Sequence, residues 1–290
     1  MDVDTLIERV LERSVAGAEG PGAPPLLGRA LRHSVFPGGA RVRPKLCVAV
    51  AAACGEGRGI EAASGAGAAL ELMHCASLVH DDLPAFDGAA IRRGKPSVHA
   101  AYGEAIAVLA GDALIVMAFD TLLRECRVSP EALAPLMSIL INAVGTPRGI
   151  VAGQAWESEP VIDLSAYHQA KTGALFVAAS MSGAAAAGLD PAPWRALGER
   201  LGEAYQVADD LRDVLLDEEE LGKPAGQDAS HLRPNAVQNF GVAGAIARLK
   251  GLIADASDSI PDCAGAPMLR EIVHGQAARL MPQSLLRNVA

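Results

Sequence analysis

Three aspartates close an apolar run in the stretch Glu71–His99: Asp81, Asp82 and Asp87. Arg92 and Arg93 follow, then Gly94, Lys95 and Pro96. Carboxylates gathered at the end of an apolar helix repel one another, and burying them uncompensated is costly. Two arrangements relieve that cost. The carboxylates face water, as a solvated acidic loop before a basic turn, or they hold a hard divalent cation. Mg²⁺ takes oxygen ligands, uses few protein carboxylates and completes its shell with water and substrate phosphate. Paired arginines suit the same substrate, because a guanidinium fork matches phosphate oxygens. A second acidic group lies downstream, where Tyr205–Asp213 reads YQVADDLRD. There Asp209 and Asp213 share one helix face, a spacing at which like charges destabilise a bare helix. Two such groups point to two helices facing each other across a shared cation–diphosphate cluster.

The elements that must position these residues follow from composition and periodicity. The chain has 290 residues, 50% of them hydrophobic, enough for a sizeable core. No Pro/Gly/Ser linker or charge block divides it, and the two acidic groups need one cavity, so residues 1–290 read as a single domain. Alanine is abundant, aromatics are 3% and few stretches alternate with period two, which predicts an all-α fold with closely packed helices. Helices are expected at about 2–17, 26–34, 43–54, 60–83, 103–126, 130–145, 147–158, 164–186, 191–217, 232–239, 242–256 and 265–281. Pro84 ends or bends the fourth of these and lets Asp87 swing back towards Asp81. His74 falls on nearly the same face as Asp81.

A net charge of −9 argues against a nucleic-acid surface, while leaving a small anionic substrate open. Cys47, Cys54, Cys75, Cys126 and Cys263 form no CxxC pair and read as buried thiols of a reducing compartment. The acidic, amphipathic N-terminus is no signal peptide, and no apolar run is expected to span a bilayer. The expected location is cytoplasmic.

DDLPAFD and DDLRD resemble the first and second aspartate-rich motifs of the trans-isoprenyl diphosphate synthases, which include farnesyl and geranylgeranyl diphosphate synthases. The resemblance extends, in order, through FPGGARVRP, HDDLPAFD, RRGKPSVH, LAGDALI, GQAWE, KTGALF, YQVADDLRD and LGKPAGQD. It implies the isoprenoid synthase fold, a single-domain orthogonal bundle of about 10–13 helices around a central cavity. It also implies head-to-tail prenyl transfer from an allylic diphosphate to isopentenyl diphosphate, three Mg²⁺ per active site and a homodimer. By the same resemblance Asp81 and Asp87 are Mg²⁺ ligands and Asp82 supports them. Asp209 is the ligand on the opposite wall, with Asp210 and Asp213 in support, and Lys171 joins these residues in catalysis. Arg92, Lys171, Thr172, Gln206 and Lys223 match the allylic diphosphate site; Arg43, His74 and Arg93 match the isopentenyl diphosphate site. No general base stands out, and the family is thought to let the leaving diphosphate take the proton.

Bulk just before the first motif sets product length in this family. Ala76 and Ser77 are small, which implies a C20 product, geranylgeranyl diphosphate, as in the branch that feeds carotenoid or bacteriochlorophyll synthesis. The chain also departs from the family. Ala40 replaces a lysine that holds isopentenyl diphosphate, with Arg41 or Lys45 as candidate substitutes. Gly88 and Gln227 replace an aspartate and a lysine common elsewhere, and Arg233 sits near a usual lysine. Three alternatives stand beside the C20 synthase: a farnesyl diphosphate synthase, a non-catalytic subunit of a heteromeric synthase, and a class I terpene cyclase. Two intact aspartate motifs and few aromatics weigh against the cyclase.

Overall fold

Small side chains let one helix sit inside the others. The computed structural model describes residues 2–55, 57–215 and 236–280. Helix α4 (Ile60–Asp81) is buried nearly all round, with Ala62, Ala66, Ala69 and Ala76 among its inward residues. A helix apolar on every side belongs in a core. Around it lie α1 (Val3–Ala18), α2 (Pro25–Val35) and α3 (Val42–Cys54). Asp2 caps α1 by accepting the Thr5 amide. After α4 comes a hairpin of two two-residue strands, β1 (Ile91–Arg92) and β2 (Lys95–Pro96), paired antiparallel with Arg92 opposite Lys95. Its central residues Arg93 and Gly94 have φ of 53° and 71°, the left-handed pair that a two-residue hairpin turn requires.

The chain continues through α5 (Val98–Tyr102), α6 (Glu104–Glu125), α7 (Pro130–Val144), α8 (Ile150–Ala155) and α9 (Leu164–His168). A single wide π turn, Gln169–Gly173, joins α9 to α10 (Ala174–Ala186). Then come α11 (Arg195–Leu215), α12 (Ala236–Asp258) and α13 (Ala266–Leu280). Helices α3, α6 and α10 pack directly on α4, and α10 also packs on α11. The two helices that carry the aspartate motifs are thus separated and bridged by α10.

The all-α expectation is borne out, with several changes of detail. Helix α4 stops at Asp81 rather than 83, ahead of Pro84. The segment expected at 147–158 is α8 plus a 3₁₀ turn, Trp156–Ser158. The long helix expected at 164–186 contains the π turn, and the one expected at 191–217 opens with a 3₁₀ turn, Ala192–Trp194. The two helices expected at 232–239 and 242–256 are found as two helical stretches of α12 that meet at the non-helical Gly241 (φ 67°, ψ 171°). The hairpin was not anticipated. Lys223, Gln227 and Arg233 lie outside the described residues.

Ile60–Asp81 and Glu104–Val128 are both long and apolar enough to cross a membrane by length and composition, contrary to the expectation that no run would be. The apolar window of the first is 83% buried, that of a core helix, whereas that of the second is 39% buried. Val108, Leu109, Val116 and Leu123 face outward from α6. All five cysteines are free thiols; Cys47, Cys75 and Cys126 are buried as expected, whereas Cys54 and Cys263 are only half-buried.

Candidate active site

The first acidic wall is built where α4 ends. Pro84 lies just beyond the helix, and the chain curls so that the Asp87 amide donates to the Asp81 carbonyl at 3.0 Å. That return brings Asp87 beside Asp81, as the proline had suggested. The carboxylates of Asp81, Asp87 and Glu157 have ligand atoms within 4.8 Å of one another. Asp81 Oδ1 is buried and accepts no hydrogen bond. Burial pushes its carboxyl above the usual range; Lys171 opposes the shift, while Asp87 and Glu157 add to it. An orphaned, desolvated carboxylate oxygen among other oxygen donors fits a hard cation such as Mg²⁺. Asp82 is occupied differently. It is buried and takes hydrogen bonds from Arg92, at 3.0 Å from Nε. Burial opposes the charge on Arg92, yet its bonds to Asp82 hold its pKa up.

The π turn carries the bridge between the walls. Lys171 Nζ donates to Glu157 Oε1 at 2.6 Å and lies 3.7 Å from Asp81 Oδ1. The next residue, Thr172, donates to Gln206 Oε1 at 2.8 Å on α11. Gln206 in turn donates to Asp210 at 2.9 Å. Two glycines let the neighbouring helices close on this turn: a Cβ on Gly153 would lie 2.4 Å from the Lys171 nitrogen, and one on Gly202 2.7 Å from the Gly173 Cα. On the second wall, Asp210 is buried and also accepts the Ala236 amide at 2.7 Å, so it ties α12 to α11. Asp209 is half-buried and accepts from Arg212 Nη2 at 3.0 Å. Among the described residues, Asp209 and Asp213 are not part of the close carboxylate group on the first wall.

Positive charge collects between the walls. Arg43 is buried, its guanidinium 4.7 Å from the Phe176 ring centre and 5.7 Å from that of Tyr205. Its Nε has no partner, burial lowers its pKa, and among the described residues it pairs with no carboxylate. Arg93, reached through the left-handed hairpin turn, donates to the Gly38 carbonyl and packs on Gly39. Burial holds His74 well below its ordinary pKa, and Arg43 and Arg93 lower it further, so the imidazole is neutral at pH 7. A desolvated guanidinium without a counter-ion favours an anionic ligand.

The full sequence matches the polyprenyl synthetase family over residues 24–261. The chain belongs to the polyprenyl synthetase family. It is 54% identical over 290 residues to the geranylgeranyl diphosphate synthase of Cereibacter sphaeroides, covering 100% of both chains. It is 52% identical over 282 residues to that of Rhodobacter capsulatus, covering 97% of each. Among solved structures it resembles a geranyltransferase from Helicobacter pylori complexed with magnesium and isoprenyl diphosphate. The TM-score is 0.77 at 28% identity, covering 96% of this chain and 98% of that one. The expected isoprenoid synthase fold and prenyltransferase class are borne out.

As a polyprenyl synthetase the chain brings Asp81, Asp87, Lys171, Thr172 and Gln206 into one connected group. Arg92, bonded to Asp82, lies within electrostatic reach of Asp81 and Asp87. Arg43, His74 and Arg93 form a neighbouring cationic group. Ala76 is buried on α4, and Ser77 is half-buried, donating to the His74 carbonyl at 2.8 Å. Two features were missed. Glu157, inside the quoted GQAWE, received no role although it joins the acidic cluster. Arg41, considered as a stand-in for the lysine lost at Ala40, is instead buried and bonded to Glu8, Glu71 and the Val35 carbonyl. Lys45 pairs with Asp4 at 2.7 Å. The left-handed backbone at Arg41 (φ 48°) turns its side chain inward, a conformation without a local signal in a non-glycine residue.

Proposed function

We propose that this chain is a geranylgeranyl diphosphate synthase, joining isopentenyl diphosphate head-to-tail to an allylic diphosphate. The observation that carries the reading is the buried Asp81 Oδ1, which accepts no hydrogen bond, beside Asp87, with Lys171 at 3.7 Å. Asp81 and Asp87 hold Mg²⁺ on the first wall and Asp209 on the second, with three ions per site. When bound, Mg²⁺ supplies positive charge where the departing diphosphate becomes negative. Lys171, Thr172, Gln206 and Arg92, with Lys223, grip the allylic diphosphate. Asp82 orients Arg92, and Asp210 orients Gln206. Arg43 and Arg93 hold isopentenyl diphosphate beside the neutral His74. Asp213 supports the second wall. The small Ala76 and Ser77 leave length for a C20 chain, in keeping with the two geranylgeranyl diphosphate synthases it resembles.

The enzyme works as a cytoplasmic homodimer in this reading. Support for the dimer is the outward apolar face of α6, where Val116 is 66% and Leu109 52% exposed.

The test is product length. Purified chain with Mg²⁺, isopentenyl diphosphate and farnesyl diphosphate gives a C20 product. Synthesis that stops at C15 from shorter primers makes it a farnesyl diphosphate synthase. No product from any primer makes it a non-catalytic subunit.

A further inference from the structure

Glu157 sits on the 3₁₀ turn after α8, and three donors fix it. Lys171 Nζ and Tyr167 Oη both donate to Oε1 at 2.6 Å, and Gln154 Nε2 donates to Oε2 at 3.2 Å. The Lys171 ammonium also lies 5.9 Å from the Tyr167 ring centre. Distance alone would make Glu157 a third metal ligand, since its oxygens fall within the 4.8 Å group of Asp81 and Asp87. Hydrogen bonding separates the three. Asp81 Oδ1 accepts none, whereas both Glu157 oxygens are taken. Lys171 Nζ is 3.7 Å from Asp81 Oδ1, a long ion pair that a small side-chain rotation would shorten to a direct hydrogen bond. An ammonium paired to Asp81 would compete for the oxygen best suited to a metal.

We propose that Glu157 is a positioning residue for prenyl transfer: it keeps Lys171 Nζ from hydrogen-bonding Asp81 Oδ1. Asp81 Oδ1 then stays open to the cation, and the ammonium stays at the rim to meet the diphosphate. Tyr167 and Gln154 keep the Glu157 carboxylate from following the lysine. The inference rests on the metal reading of Asp81 and Asp87 given above.

Mn²⁺ binding to the full chain without substrate, titrated by electron paramagnetic resonance, tests it. Loss of an outer partner of a metal site costs about 10- to 100-fold in affinity. Glu157→Gln therefore binds Mn²⁺ about tenfold more weakly than the unaltered chain, because Lys171 collapses onto Asp81. In a Lys171→Gln background the competitor is gone, and adding Glu157→Gln changes affinity less than about twofold. A tenfold loss that persists in that background makes Glu157 itself a ligand and overturns the proposal. So does unchanged affinity in Glu157→Gln alone. Asp81→Asn serves as the separate control. If it leaves Mn²⁺ binding intact, the metal reading fails on its own terms, whatever the Glu157 cycle shows.

Discussion

Gly153→Ala reports directly on how the π turn is held. The added methyl would lie 2.4 Å from the Lys171 nitrogen and 2.5 Å from its Cα, both backbone atoms. Neither can rotate away, so α8 or the turn must give by about 1 Å to restore ordinary contact. Overpacking of this kind costs about 1–3 kcal/mol. The same displacement carries Lys171 away from Glu157 and the acidic pair, and a 1 Å misplacement of a positioning group costs about 10²-fold in rate. Steady-state turnover with saturating substrates, read beside a thermal melt, checks both numbers. Gly251→Ala is the control, because its added methyl meets nothing within 4 Å on an exposed stretch of α12. That change stabilises by about 0.5–1 kcal/mol through helix propensity and leaves turnover alone. A Gly153→Ala enzyme with unaltered kcat would refute the claim that close packing of α8 places the lysine.

Ala76→Tyr shortens the product to C15 in a chromatographic assay; unchanged C20 synthesis would place the end of the hydrocarbon tunnel elsewhere. Ala40→Lys lowers the KM for isopentenyl diphosphate about tenfold, the low end of a charge-assisted contact, since position 40 is exposed. An unchanged KM would show that Arg43, His74 and Arg93 already satisfy the ligand. His74 has a folded-state pKa below its ordinary value of 6.5. The unfolded chain therefore binds the extra proton first, and stability is lost as pH falls below 6.5 towards the lowered value. This one group contributes at most about 1.4 kcal/mol per pH unit. His74→Gln removes that contribution, so its melting temperature falls less steeply on acidification; parallel slopes would contradict it.

Much of this arrangement is legible from local chemistry. Apolar residues without period-two alternation give an all-helical bundle, and Pro84 marks where α4 must stop and Asp87 return. The charge spacing at Asp81, Asp87, Asp209 and Asp213 picks out both walls. The rest depends on contacts between distant segments. The π turn has no compositional signature, because a single wide turn satisfies the same apolar spacing as an α-turn within one residue. Glu157 joins Asp81 only because α8 closes against that turn at Gly153. The hairpin is two residues per strand, too short for periodicity to register. Asp210 reads only as a carboxylate supporting Asp209 until its bond to the Ala236 amide shows it to be a strut between helices.

The π turn also says something about how this chain can change over generations. Gln169–Gly173 holds one residue more than an α-turn needs. Deleting any one residue between Tyr167 and Ala174 would relax the run to a plain α-helix and swing everything before the cut by about 100°. Lys171 and Thr172 would then no longer meet the two walls together, however well each amino acid were retained. The loops before α8 and after α10 can gain or lose a residue at modest cost. This turn cannot, so its length constrains the chain as tightly as the identity of the lysine it carries.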